Sequence, residues 1–339
     1  MTDANSTWQG KHGPLLIAEV GGNHEGDFEY ALHLTDLAID SGADCVKFQL
    51  YTGDSLVSPV ESPDRNAHFQ RFELSREQHL EIAERCKTAD VRYAASVWNP
   101  DMLEWIDPYL DHYKIGSGDL TAWPIIEAFT RRQKPLLLST GLATLNETLA
   151  TIRFIEECNP AYRDPEMIAV MQCTAMYPID DTDANLRVMD TLREATGRPV
   201  GYSDHTRGTQ ALTLAAARDA QVLEFHFTDS REGKSFRDHK VSLTRDEVKA
   251  LREQLDQFSE LLGSADKQPL PCEIDPGHVT SFRRGLYSRV DLKAGEEIQQ
   301  EHLVALRPNH GIDARRYRDI IGKRVKRDTR ALEALDVEE

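Results

Sequence analysis

The 339-residue chain is short of several things that would each mark a function class. No apolar run approaches the ~20 residues a membrane helix needs, and the polar opening MTDANSTWQGKHG does not read as a signal peptide. Cysteines are few: Cys45, Cys86, Cys158, Cys173 and Cys272, an odd number at scattered spacings without a CxxC pair. That argues against a zinc knuckle or a disulfide framework and suits a reducing compartment, so a cytoplasmic location is expected. Positive charge is scarce: 40 Lys and Arg stand against 57 Asp and Glu, for a net charge of −17. Such an excess disfavours a nucleic-acid or membrane partner, although a few lysines in a cleft can still attract an anionic substrate. The GxGxxG fingerprint of a dinucleotide-binding sheet is also missing, because the first strand runs into AEVGGNHEG.

What is present is alternation. Strand-like runs at 15–22, 44–51, 91–98, 113–119, 134–141 and 166–178, then PVGYSDH and QVLEFHF, make eight. Each is followed by a run of helical periodicity, short after the third strand. Ser75 and the Thr144/Glu147 spacing read as helix N-caps, the second as a capping box. Residues 52–73, polar and rich in Pro, Asp and Arg, read as a long loop. Eight alternating units over about 250 residues predict a (β/α)8 TIM barrel, with an open doubly wound sheet as the rival. Helical periodicity ends at 264–282, where Pro, Gly and polar residues cluster. The expected organisation is a barrel over 1–265, a linker over 266–282 and a small domain of short strands over 283–339. About 55 residues are marginal as an independent core, so the last part is expected to pack on a barrel, its own or a partner's.

Barrels of this kind place their chemistry at the C-terminal edge of the strands. Two adjacent runs, GYSDH and LEFHF, each carry a histidine there, His205 and His226, with Asp204 and Glu224 alongside. The pair reads either as a divalent-metal site or as two strand-end imidazoles bonded to loop carbonyls. Lys47 and Lys114 lie inside apolar runs, CVKFQL and HYKIGSG. A buried ammonium needs an anion, either an acid of the fold such as Glu19 or a substrate. Strand ends also supply Asn23, His24, Gln49, Ser117, Asp119, Ser139, Thr140, Gln172, Thr174, Tyr177 and Ser203. KIGSGD and STG offer exposed amides suited to phosphate, though such loops are often simple turns. His24, His112 and His239 read as structural or exposed, with His24 the exception to watch. Cys173 reads as a buried, inert thiol, and Trp98, Trp105 and Trp123 as wall or core.

Taken in order, IAEVGGNHEG, VKFQ, YKIGSGD, LLLSTG, QCTAMYP, GYSDHT, LEFHFTD and DHKVSL resemble the N-acetylneuraminate (sialic acid) synthase family, which includes legionaminate and pseudaminate synthases. RRGLYSRVDLKAGEEIQQEHLVALRP resembles the antifreeze-like (SAF, β-clip) domain attached to those enzymes, so the likeness covers about 15–339. It implies condensation of phosphoenolpyruvate with an open-chain N-acylated amino sugar, with C–O cleavage and release of phosphate. It implies a divalent metal on His205 and His226, usually manganese, with magnesium and cobalt as alternatives. It implies catalytic roles for Glu19, Lys47, Lys114, Asp119, His205 and His226, and substrate contacts from Gln49, Ser117, Ser139, Tyr177, Ser203, Asp238 and Arg307. Arg307 in such enzymes reaches the sugar in a partner's barrel, so a domain-swapped homodimer is implied. The chain departs from the family pattern at SVWN, commonly STPF, which puts Val97 where a phosphate-contacting Thr is usual. Ala175 and Asp119 replace a common Asn or Ser and a common Glu. Val97, Trp98 and Ala175 together predict a more apolar wall, suited to a 6-deoxy, doubly acylated sugar rather than N-acetylmannosamine. The rivals are a Schiff-base aldolase using Lys47 or Lys114 and a degenerate, non-catalytic sugar-binding barrel.

Overall fold

A computed structural model describes residues 7–338 and divides the chain into two compact units after Gly263. In the first, eight parallel strands close on themselves. They are β1 (Gly13–Glu19), β2 (Cys45–Leu50), β3 (Arg92–Val97), β4 (Tyr113–Ile115), β5 (Leu136–Ser139), β6 (Ile168–Cys173), β7 (Val200–Asp204) and β8 (Val222–His226). β8 pairs with β1, with Glu19 opposite His226, which completes the expected (β/α)8 barrel. A two-residue strand, Gln9–Gly10, pairs antiparallel with the start of β1 and was not foreseen.

The strands read as near-continuous apolar runs because both faces are covered. Side chains alternate between the faces with period two. Leu16, Ala18, Val46, Phe48 and Leu138 belong to the large cluster shared with the helices. Leu15, Ile17, Cys45, Ala94, Leu137, Ala169, Met171 and Val222 form a separate cluster with Trp8 that fills the barrel. Each large side chain so buried contributes roughly 1.5–3 kcal/mol.

The main helices start where the sequence places caps. Ser75 with Gln78, Thr144 with Glu147 and Thr244 with Glu247 form capping boxes at α4 (Arg76–Thr88), α5 (Leu145–Cys158) and α6 (Arg245–Leu262). α1 (Phe28–Ser41) ends on Gly42 at φ 78°, a left-handed turn that suits glycine. Residues 52–73 are not a loop. They hold α2 (Gly53–Leu56), capped by Thr52, and α3 (Pro63–Phe72), with Pro at its first position. Their polar composition hid them, since α3 buries only Asn66 and Phe72. The 113–119 strand stops at Ile115 and gives way to a 3-10 turn, Ser117–Asp119. Segment 264–282 carries two single-turn helices, α7 (Pro271–Ile274) and α8 (His278–Ser281).

In the second unit, β9 (Gly285–Ser288) and β10 (Leu303–Leu306) pair antiparallel over a small core of Leu286, Leu292, Ile298, Leu303, Ile320, Val325 and Leu335.

His112 lies among the fully buried residues of the barrel, edge-on to Trp8 at 5.7 Å. Neither ring nitrogen has a hydrogen-bond partner, and burial pulls the pKa down to about 4. An unfolded histidine titrates near ~6.5. Below that pH the unfolded chain takes a proton that the folded chain refuses, so stability falls as pH drops towards about 4. His112→Phe removes this titration. Denaturant unfolding at neutral pH and near pH ~4.5 should show the variant losing about 2 kcal/mol less than wild type on acidification. Equal losses would contradict the assignment.

Candidate active site

The inward positions of the eight strands change character along the barrel. Ile17 is followed by Glu19, Cys45 by Lys47 and Gln49, Ala94 by Ser96, Leu137 by Ser139, Met171 by Cys173 and Val222 by Glu224 and His226. The lower layers are dry, and the upper one is a ring of ionisable and hydroxyl groups at the C-terminal edge. These residues, with Lys114, Ser117, Asp119, Tyr177, Ser203, His205 and Asp238, line one cavity of about 560 Å³.

Both lysines are paired within the fold. Lys47 Nζ contacts Glu19 Oε2 and lies 3.8 Å from Glu224 Oε2. Lys114 Nζ donates to Glu224 Oε1 at 2.8 Å, and Ser203 Oγ donates to the same oxygen at 3.1 Å. Gln49 Nε2 donates to Glu19 Oε1 at 3.0 Å, and Lys47 Nζ reaches Ser96 Oγ at 3.4 Å. Burial opposes all these charges. At Glu224 it is outweighed by Lys114 and Lys47, which hold the carboxyl at about 2. At Lys47, Glu19 and Glu224 outweigh burial and raise the ammonium above its usual value. Glu19 goes the other way: burial, reinforced by Glu224, raises it despite Lys47.

His205 and His226 face each other with ring centroids 5.4 Å apart. His205 Nδ1 donates to Thr174 O at 2.7 Å, which leaves Nε2 with a free lone pair. His226 Nδ1 has no hydrogen-bond partner and lies 4.0 Å from Asp238 Oδ2. Burial lowers both imidazoles, so both are neutral near pH ~7, the form that binds a cation. The Tyr177 ring sits 4.0 Å from that of His205. Among the described residues no three His, Cys, Asp or Glu side chains converge as a metal group. The two neutral imidazoles are a donor set that would suit a divalent ion with its other positions open. Cys173 Sγ lies 4.0 Å from His205 Nδ1, and burial raises its thiol, as expected of an inert cysteine.

The mouth is shaped by α2–α3 and by an aromatic wall. Tyr51, Phe69 and Trp98 pack with centroids 5.2–6.4 Å apart. Asp119 stands near Trp98: a Cβ on Gly116 would lie 3.4 Å from Asp119 Oδ2 and 3.9 Å from Trp98 Nε1. Burial raises Asp119, and the Trp98 indole and Lys114 offset only part of that. Asp238 is raised too, by burial, with Arg237 and His205 opposing.

Of the residues singled out from the sequence, Glu19, Lys47, Gln49, Lys114, Ser117, Asp119, Ser139, Tyr177, Ser203, His205, His226 and Asp238 meet in this cavity. Arg307 belongs to the second unit, with its guanidinium 5.8 Å from the Phe282 ring. Others at strand ends face away. Thr140 bonds Met171 O, Gln172 bonds Ala184 O, Thr174 bonds Asp183 O and Asp204 binds Tyr202 and Thr206. Asn23 ties Phe227 O to Ser242, and His24, His112 and His239 are buried. Val97 does not join the wall. It points outward into the core, so the apolar lining comes from Tyr51, Phe69, Trp98 and Ala175. The sequence reading missed Arg65, His68, Phe236 and Arg237, which also line the cavity. The first two sit on α3, and the pairing of Ser62 with Pro63 was the one signal of that helix.

A closed barrel with paired lysines, serine hydroxyls and two neutral histidines at its strand-end mouth defines an enzyme site for a small anionic substrate. The chain belongs to the NeuB family, which it matches over residues 34–267, and it carries a SAF domain over 283–336. It is 32% identical to the N,N'-diacetyllegionaminic acid synthase of Campylobacter jejuni, across 91% of this chain and 95% of that one. It is 30% identical to the pseudaminic acid synthase of the same species, across 95% of both. The sialic acid synthetase of Leptospira borgpetersenii, solved with citrate, superimposes with a TM-score of 0.72 at 26% identity, covering 82% of this chain and 95% of that one.

The ion pairs predict a stability signature. Lys114→Met strands the buried Glu224 charge and should cost roughly 3–5 kcal/mol in chemical denaturation. Adding Glu224→Gln should recover much of that loss. Additive losses in the double variant would contradict a direct pair.

Proposed function

We propose that the protein condenses phosphoenolpyruvate with an open-chain N-acyl amino sugar to give a nine-carbon 2-keto acid and phosphate. The observation that carries this is two lysines and two neutral histidines opposed in one cavity. Lys47 and Lys114, with Ser117, Ser139 and Ser203, would hold the phosphate and carboxylate while charge redistributes. C3 of the enol phosphate attacks the sugar aldehyde, water adds at C2, and the C–O bond to phosphate breaks. His205 and His226 would hold a divalent ion, manganese first, with magnesium or cobalt as alternatives. When bound, that ion supplies Lewis-acid polarisation of the aldehyde oxygen. Asp119 and Glu19, both raised by burial, would exchange protons with the reacting groups. Tyr177, Gln49 and Asp238 would orient the sugar. The aromatic wall favours a 2,4-diacetamido-trideoxy hexose over N-acetylmannosamine. A Schiff-base aldolase fits less well, because Lys47 is ion-paired and raised, the reverse of an activated amine.

The reading includes a homodimer in which Arg307 serves a second copy's barrel. Charge supports it. The whole acidic excess lies in 1–263, while basic and acidic side chains balance in 264–339.

Four outcomes check the reading. Phosphate release from phosphoenolpyruvate, assayed over a panel of N-acyl amino sugars, should stop with chelator and return with Mn2+. His226→Ala should lose at least ~100-fold in turnover and lose Mn2+ binding by calorimetry, with unchanged thermal unfolding; near-full turnover would refute the metal assignment. Clear preference for N-acetylmannosamine would sink the reading of the wall. For the dimer, mixing inactive His226→Ala with inactive Arg307→Ala should restore part of the activity if the arginine serves the other copy. No restoration places Arg307 elsewhere.

A further inference from the structure

The deep cradle accounts for two cations, and both are already paired. Two further cations and an imidazole stand at the mouth. Helix α3 presents Arg65 and, one turn on, His68 to the cavity; the loop after β8 presents Arg237 from the other side. The two elements are held together by rings. Phe72 lies 5.0 Å from Phe236, and His68 lies 4.5 Å from Phe72 and stacks on Phe236 at 6.1 Å.

These cations are poorly compensated. Among the described residues Arg65 has no ion-pair partner, and its guanidinium sits 5.8 Å from the Phe69 ring. Arg237 gives only Nε to Asp238, at 3.2 Å, and lays its guanidinium 4.8 Å from the Tyr177 ring. That leaves its terminal nitrogens, among the described residues, without a protein hydrogen-bond partner on an exposed side chain. His68 titrates below its usual range, first through burial and then through repulsion by Arg71, Arg237 and Arg65. Glu61 is the one acid of α2–α3 that also lines the cavity.

Unpaired like charges held together cost stability and need a reason. The protein's net charge of −17, carried entirely by 1–263, repels any anion at low ionic strength. At physiological salt that field is screened within about 8 Å, so local groups at the opening decide whether an anion is admitted. We infer that Arg65, His68 and Arg237 form an outer subsite that captures the phosphate or carboxylate of phosphoenolpyruvate at the mouth and hands it to the lysine cradle below. Its assignment to phosphoenolpyruvate rests on the synthase reading; the anion subsite itself does not.

The test is Arg65→Gln/Arg237→Gln, two exposed substitutions, with thermal unfolding as the control for folding. At low ionic strength kcat/KM for phosphoenolpyruvate should fall roughly 10-fold, mostly through KM. Added salt should speed the variant relative to the wild type, because the variant keeps the acidic field and has lost the local attraction that salt also screens. Unchanged kcat/KM with an unchanged salt trend overturns the proposal. If the variant instead loses kcat/KM for N-acetylmannosamine 6-phosphate as acceptor while phosphoenolpyruvate is unaffected, the captured anion is the sugar's and the assignment to phosphoenolpyruvate is overturned. Calorimetry with inorganic phosphate reads the subsite without turnover. Two binding steps are expected in wild type and one in the variant, and equal stoichiometry overturns the subsite. Should wild type release no phosphate with any acceptor, the synthase reading fails, and the phosphate titration alone decides the subsite.

Discussion

Two ammonium groups inside a closed barrel are tolerable only if counter-charge is built in beside them. Lys47 and Lys114 meet this through Glu19 and Glu224, contributed by β1 and β8, the strands that close the sheet. Closure and charge pairing are therefore one constraint. A register slip of one residue between β8 and β1 would turn Glu224 out of the barrel, strand Lys114 and leave Lys47 with Glu19 alone. The pairs also set the resting charge of the cradle near zero, which allows it to exist without ligand.

The same alternation separates stability from chemistry. Lower inward positions are Leu, Ile, Ala and Met and make a dry plug with Trp8, while upper ones are polar and face the mouth. Helices α2 and α3 then narrow that mouth, because β2 is followed by an excursion through 53–72 before α4 begins. The cavity is thus rigid below, where reacting groups need fixed positions, and is bounded above by a helix pair with few buried residues.

The barrel was legible because eight apolar runs and eight helical runs each carry strong periodicity. The site was legible at residues whose type conflicts with their surroundings, such as Lys47 in CVKFQL and Lys114 in HYKIGSG. What failed was sorting strand-end residues by face. Thr140, Gln172 and Asp204 differ from Ser139, Cys173 and His205 by a single position, and period two sends them outward. Val97 was misassigned for the same reason. The parity was present in the sequence, anchored by Glu19 and Ile17, and would have separated them. Arg65, His68 and Arg237 had no comparable mark. They lie on connections whose polar composition resembles any solvated surface, and only the ring stack of Phe72, His68 and Phe236 brings them together.

In the proposed reaction an incoming anion needs compensation within a buried layer whose charges are already paired. Glu19 and Glu224 already neutralise both lysines, so an incoming phosphate adds net negative charge to a buried layer. Three features can absorb it. Glu19 has a raised pKa and gains a proton more readily as the local potential falls. The two histidines are neutral and offer lone pairs to a divalent cation, whose charge would offset the anion across the cavity. The arginines at the mouth supply the remainder while the ligand is still partly hydrated. A cradle with unpaired lysines would bind phosphate more tightly on its own but would carry two uncompensated buried charges when empty. The paired arrangement trades some affinity for a folded resting state.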